Sequence, residues 1–371
     1  MIQRHELESS LEYGALPEDV VWTLPNKKRN PYYIVAPPYV RTSAGIKVLH
    51  LLCHALNRMG ERAYILPHRF YRSIVAVTNP ELNTPVLDKQ VLDYDFATGQ
   101  TPIVIYPEVV YGNPFHAPFV VRYVMNFPGL LGGETHYHPD EFCVAYSEQL
   151  AQTVANCRMS LFFPVSDPRV FTPFPSVPRK GSCFYAGKYK YVHGGKTFDI
   201  TANSTEITRD MPESQTPEQI AALFRRSEVF YVYENTALAI EAILCGCPVV
   251  FLPNPWLTEI IGVCEHGMDG IAWGTGSADL ARARATVVQG RERYLTKWLE
   301  FREQLEGFIE ETQETVSRYA YAAPILVPQC VKPNVVVQIR EYFVLGVQVW
   351  REKGFWTFMG LVLKRIVRAL T

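Results

Sequence analysis

The sequence predicts an α/β chain of two parallel-sheet domains, and three observations carry that expectation. Residues 228–251 and 32–66 each read as strand, helix, strand, the repeating unit of a parallel sheet. Between them, residues 167–181 gather Pro168, Pro173, Pro175 and Pro178 before Gly181, the best linker in the chain. A length of 371 residues also exceeds one comfortable hydrophobic core. The predicted divisions are residues 1–178, residues 179–330, and helices over residues 331–371.

Composition narrows the class. Apolar residues make up 48% of the chain, which is enough for globular cores. A net charge of −1 gives no global field for nucleic acid. The eight cysteines lack paired metal-ligand spacing, and Cys245-x-Cys247 has no second pair, so no zinc site is expected. Cys53, Cys143 and Cys245 lie in apolar runs, as free buried thiols of a reducing cytosol do. The start is polar, without a signal peptide, and no uncharged apolar run is long enough to span a bilayer.

The first half opens with a polar lead-in over residues 1–30. Tyr32–Ala36 is a buried-type strand stopped by Pro37-Pro38. A loop ending in Gly45 leads into a helix over Ile46–Met59, capped by Gly60, and a strand resumes at Ala63–Leu66. Ile103–Tyr106 is the next strand and ends at Pro107-Glu108. A carboxylate there faces the cleft of an open parallel sheet, where Glu108 would meet an acceptor or serve as general base; a solvated loop glutamate is the plain alternative. Val120–Met125 is a further apolar run, and Phe142–Tyr146 and Leu161–Pro164 read as the last strands of this half. Before Phe142 lies the loop Gly132–Glu141, with His136 and His138. Its flanking Gly and Pro favour an acceptor-facing loop over a metal site.

The second half starts with a strand at Ser182–Ala186, followed by Lys188, Lys190 and a Gly194-Gly195-Lys196 turn. Glu206–Thr208 is a short strand leading to Arg209. The helix over Thr216–Arg226 has a complete start signal: Thr216 as N-cap, Pro217 at the first position and Gln219 at the reciprocal position. Val229–Tyr233 is a strand, Glu234-Asn235-Thr236 a turn, and an apolar helix runs on to Leu244 before the strand Val249–Phe251. Glu241 interrupts that helix, and a carboxylate is costly to bury unless something pairs with it. The helix start at Asn235-Thr236 would seat an anion such as a phosphate, leaving Glu241 for ribose hydroxyls. Arg291–Ser317 reads as a charged amphipathic surface helix.

Glu241-Ala242 followed by Cys245-Gly246-Cys247-Pro248-Val249-Val250 resembles the signature of GT-B glycosyltransferases, above all the retaining, nucleotide-sugar-dependent kind. Gly267-Met268-Asp269-Gly270-Ile271 is similar to that family's late turn. The resemblance covers residues 182–276 well and residues 32–66 loosely, and it departs at Glu234, which stands one residue too close to Glu241. It implies two Rossmann-like domains facing across a cleft, with C-terminal helices. By the same resemblance Glu241 holds ribose, Glu234 contacts the sugar, and Lys188, with Lys190 and Lys196 as substitutes, neutralises the diphosphate without a metal. It also brings Gly45 near the donor and Arg209 near base or phosphate.

The tail adds Val335–Arg351 and Phe355–Leu370, the latter aromatic at one end and basic at the other. It reads either as an interfacial anchor on an anionic membrane or as a helix packed on the first domain. Together these expectations describe a cytoplasmic, peripherally membrane-bound enzyme. It would transfer a sugar from a nucleotide-sugar donor to a glycan or lipid-linked glycan in surface polysaccharide synthesis, with retention and without metal or cofactor. A nucleotide-sugar 2-epimerase of the same fold and a non-catalytic membrane-associated subunit are the alternatives.

Overall fold

The computed structural model describes residues 29–67, 77–174, 178–208 and 214–325. Arg209, the lead-in before residue 29 and the helices expected over 335–370 lie outside them. The described chain forms two parallel sheets with helices, as the strand–helix–strand units predict. The first contains β1 (Tyr32–Ala36), β2 (Ala63–Pro67), β3 (Ile103–Pro107), β4 (Phe119–Val124), β5 (Phe142–Ala145) and β6 (Cys157–Ser160), in the order β2-β1-β3-β4-β5-β6. The second contains β7 (Ser182–Tyr185), β8 (Thr205–Glu206), β9 (Val229–Val232), β10 (Val249–Phe251) and β11 (Ile271–Trp273), in the order β11-β10-β9-β7-β8. All five residues of β1 and β3 are buried, which is why both read as unbroken apolar runs instead of alternating ones.

Helices cover the sheets where the sequence places apolar stripes. α1 (Ala44–Arg58) buries Val48, Leu49, Leu52, Cys53 and Leu56 against the first sheet. α2 (Lys89–Ala97) is capped by Asp88 and buries Asp95, whose carboxylate accepts from Tyr33 Oη and Arg62, both at 2.6 Å. α3 (Glu148–Ala151) follows β5, and α4 (Gly187–Tyr191) follows β7. α5 (Pro217–Arg226) begins with the reciprocal Thr216–Gln219 cap expected from sequence. α6 (Leu238–Leu244) and the short α7 (Val263–His266) complete the second sheet's surroundings.

Small shifts apart, such as β8 at Thr205–Glu206 instead of Glu206–Thr208, two elements differ in kind from expectation. Leu161–Pro164 is not a strand: the edge strand is β6, just upstream, and Leu161–Pro164 is buried non-strand chain. Leu161 N still donates to Ala145 O of β5 at 2.8 Å, but Phe162 N turns to Gln304 at 3.1 Å, and the segment is apolar because Leu161, Phe162 and Phe163 pack into the cores. The surface helix expected over 291–317 is the second part of α8 (Ser277–Val316), a 40-residue helix. Its first part places Val287 and Tyr294 in the second sheet's core, and its last part buries Leu305, Phe308, Ile309 and Val316 in the first sheet's core. Those four side chains contribute about 6–12 kcal/mol as an upper bound, comparable with the net stability of a whole domain.

Candidate active site

In an open parallel sheet the chain leaves neighbouring strands in opposite directions at one point, and the crevice outside those strand ends is where ligands bind. Each sheet here has one such point. In the first, β1 connects to β2 on one side while β3 lies on the other; in the second, β7 connects to β8 while β9 lies on the other. Glu108 follows β3 directly. Gly187-Lys188 follows β7, and Glu234 stands just beyond β9. Three residues singled out in the sequence therefore sit at the two crevices.

They also interact. Glu234 Oε2 accepts the backbone N–H of Tyr189 at 3.1 Å, fastening the end of β9 to the first turn of α4. Lys188, one residue earlier, is exposed, and its charge reaches Glu108 on the first sheet. Glu108 is only 5% exposed and accepts from Met125 N at 3.2 Å. Burial pushes its carboxyl up to about 6, against the pull of the Met125 N–H, Arg122 and Lys188. A carboxyl titrating there is half ionised near pH 6 and mostly ionised at neutrality, the form that general-base chemistry needs.

Beneath Glu108 lies a buried cation that the sequence reading did not single out. Arg122, on β4, is fully buried and grips Glu141 through two bonds of 2.8 and 3.1 Å. It also donates to the carbonyls of Val110 at 2.6 Å and Gly112 at 2.9 Å, and lies over the rings of Tyr106 and Tyr137. The loop carrying Glu108 is thus held from below by one guanidinium. The signal was an arginine inside the apolar run FVVRYV, which demands a buried acid somewhere downstream.

Gly133 holds the same loop from above. Its φ is +78°, and a Cβ there would stand 2.0 Å from the Glu108 carbonyl oxygen. Gly133→Ala should therefore cost about 2 kcal/mol or more and displace Glu108 without altering any charge. A melting comparison of the two proteins checks it, and unchanged stability would show that the loop adapts freely.

The other expected residues are dispersed. Glu241 is 3% exposed on α6, near Cys245 and Tyr294 in the core. Asn235 is engaged with the following loop, donating to Glu259 O and accepting from Ile261 N, both at 3.0 Å. Thr236 Oγ1 accepts from Leu238 N at 3.3 Å, and α6 begins at Leu238, two residues later than expected. Gly45 sits in the first turn of α1, not in the preceding loop. Lys190 pairs with Glu206 at 2.8 Å, whereas Lys196 is exposed. His136 and His138 are exposed and bond Thr135 and Asp140. Among the described residues no group of His, Cys, Asp or Glu is arranged to hold a metal.

Solved structures similar to this one are glycosyltransferases. AviGT4, involved in avilamycin A biosynthesis, aligns over 78% of this chain and 99% of its own at 12% identity, with a TM-score of 0.46. SnogD from Streptomyces nogalater aligns over 77% and 100% at 11% identity and 0.41. BGT of phage T4, solved with UDP and Mn2+, aligns over 76% and 99% at 10% identity and 0.42. No protein-family model matches the sequence, and no curated protein is similar to it.

One more feature of the second crevice escaped the sequence reading. The His193 imidazole stacks on the Trp256 indole at 4.9 Å and 13°, and Tyr189 meets the same indole edge-on at 5.8 Å. Trp256 remains 51% exposed. An exposed aromatic face beside the Lys188 turn is suited to stacking a planar ligand.

Proposed function

We propose that this chain is a GT-B-type glycosyltransferase that moves a sugar from a nucleotide-sugar donor to a hydroxyl of a glycan or lipid-linked acceptor. The observation that carries the reading is the placement of Glu108 and Lys188 just beyond strand ends, at the crevices of two parallel sheets. The exposed face of Trp256 supports a base site, and Lys188 supports the diphosphate. Glu234 acts by positioning the turn that carries Lys188. At Glu108 the acceptor O–H gives up its proton to the carboxylate as its oxygen forms the new bond to the anomeric carbon. The bond from that carbon to the diphosphate oxygen breaks, and the nucleoside diphosphate leaves with the electron pair. Lys188 stabilises the developing charge on that leaving group, so the step runs on fixed electrostatics. A base at Glu108 favours inversion over the retention that the Glu241 signature implies. The free cysteines of the described residues suit a reducing cytosol.

The test is a thermal-shift panel with UDP, GDP, dTDP and CMP. A ligand that binds only the native state raises its melting temperature. One nucleotide should stabilise selectively, and Lys188→Ala should weaken its binding by about tenfold, the worth of one charged contact. Buried Glu241 should lower the melting baseline when replaced by alanine, so its ribose role is read only from the nucleotide-induced increment. Absence of any shift at millimolar nucleotide would overturn the reading.

A further inference from the structure

Beside the crevices lies a cavity of about 400 Å³ that no part of the donor chemistry uses. One wall is α3, which follows β5 of the first sheet; the other is the segment from Glu259 to Cys264, after β10 of the second. Ile260, Val263, Met268 and Trp273 form an apolar lining, and Gln149 and Gln152 stand with Glu259 among them. The walls are tied together by two bonds: Gln149 donates to Glu259, and Glu148 N donates to Glu265 at 2.7 Å.

The cavity wall is tied to the site through Asn235. Asn235 holds both Glu259 O and Ile261 N, and it directly follows Glu234 at the end of β9. Its charge excludes the donor: the lining has one carboxylate, Glu259, and no cation, so a diphosphate would meet repulsion there. An apolar cavity of small-molecule size with a few polar groups takes an uncharged, largely hydrophobic moiety that carries hydrogen-bonding substituents.

We infer that this pocket holds the apolar portion of the acceptor, so that the acceptor is an amphiphile with its reacting hydroxyl at Glu108 and an alkyl or aryl group against Met268 and Trp273. The assignment rests on the transferase reading. Glycosyl transfer requires a second substrate beside the donor, and this cavity, with walls from elements that follow strands of both sheets, offers it an apolar seat.

Cys264 supplies the reporter. It lines the pocket and is exposed, whereas the other cysteines of the described residues are buried or half-buried. With Cys330, the one cysteine outside the described residues, replaced by serine (Cys330→Ser), the reaction of Cys264 with a thiol reagent is followed by peptide mass spectrometry. The probes are octyl and methyl β-D-glucoside, which differ only in the apolar group. Octyl glucoside below its micellar concentration should slow labelling at least fivefold, and methyl glucoside at equal concentration should leave it unchanged. Val263→Asp should abolish that protection while the nucleotide-induced melting shift persists. Equal protection by both glucosides, protection by neither, or protection by the nucleotide that shifts melting would each overturn the assignment. If nucleotides shift melting and octyl glucoside fails to protect, only this inference falls. Protection by octyl glucoside without any nucleotide shift would leave an apolar pocket but no acceptor site, and both readings would fall.

Discussion

Glu108→Gln should destroy transfer and stabilise the protein. Loss of a positioned general base costs about 10²–10⁴ in rate. The stability effect follows from the carboxyl's surroundings. Burial raises its folded value from 4.5 to about 6, so folding favours the protonated form. The stabilisation from that protonated form is complete below pH 4.5 and is lost as pH rises through about 6. Above that the ionised group is held at a penalty of about 2 kcal/mol. Glutamine is isosteric and neutral, and its amide oxygen can still accept from Met125 N. The variant and the parent should therefore match near pH 4.5 and diverge by about 2 kcal/mol at pH 7.5, the variant being the more stable. Denaturant unfolding at the two pH values measures this. The parent's kcat/KM should also rise with pH through about 6, a dependence absent from the variant. Equal stability at both pH values would mean that water reaches the carboxylate. Undiminished transfer would remove Glu108 from the chemistry.

The largest loss of stability should come from Arg122. Arg122→Met leaves Glu141 ionised with a side chain only 10% exposed, and leaves the Val110 and Gly112 carbonyls without their donor. Breaking one side of a buried pair costs about 3–5 kcal/mol. Removing both charges should cost much less, because the desolvation of Glu141 disappears with the partner. Arg122→Met with Glu141→Leu should thus recover most of the stability lost by the single change. Transfer should stay impaired in both proteins, since the loop carrying Glu108 has lost its floor. A double variant no more stable than the single one would show that the bonds to Val110 and Gly112, and not the ion pair, carry the effect.

How far the sequence could be read depended on how local each signal was. Buried parallel strands announce themselves as apolar runs, so β1, β3, β7, β9 and β10 were legible, and with them the strand ends that carry Glu108, Lys188 and Glu234. The Thr216–Gln219 cap was legible for the same reason, being complete within four residues. The bonds of Asn235 were not legible. Its place at a helix start was nearly right, but its side chain is taken by residues 24 and 26 positions away. Gly133 gave no warning either, since the carbonyl that excludes a side chain there belongs to Glu108. Glu241 stood out because it interrupts an otherwise apolar helix. Its burial depends on α8, which is contributed from much later in the chain.

That late helix has a consequence for biosynthesis. Tyr32 Oη, on the first strand, shares a hydrogen bond with Thr312 at 2.9 Å, 280 residues away. A ribosome delivers the strands of the first sheet early, yet Leu305, Phe308, Ile309 and Val316 are among the last described residues to emerge. Until they do, one face of that sheet lacks its cover. The half of the molecule made first is the half finished last, and during translation it is the nascent surface most in need of a chaperone.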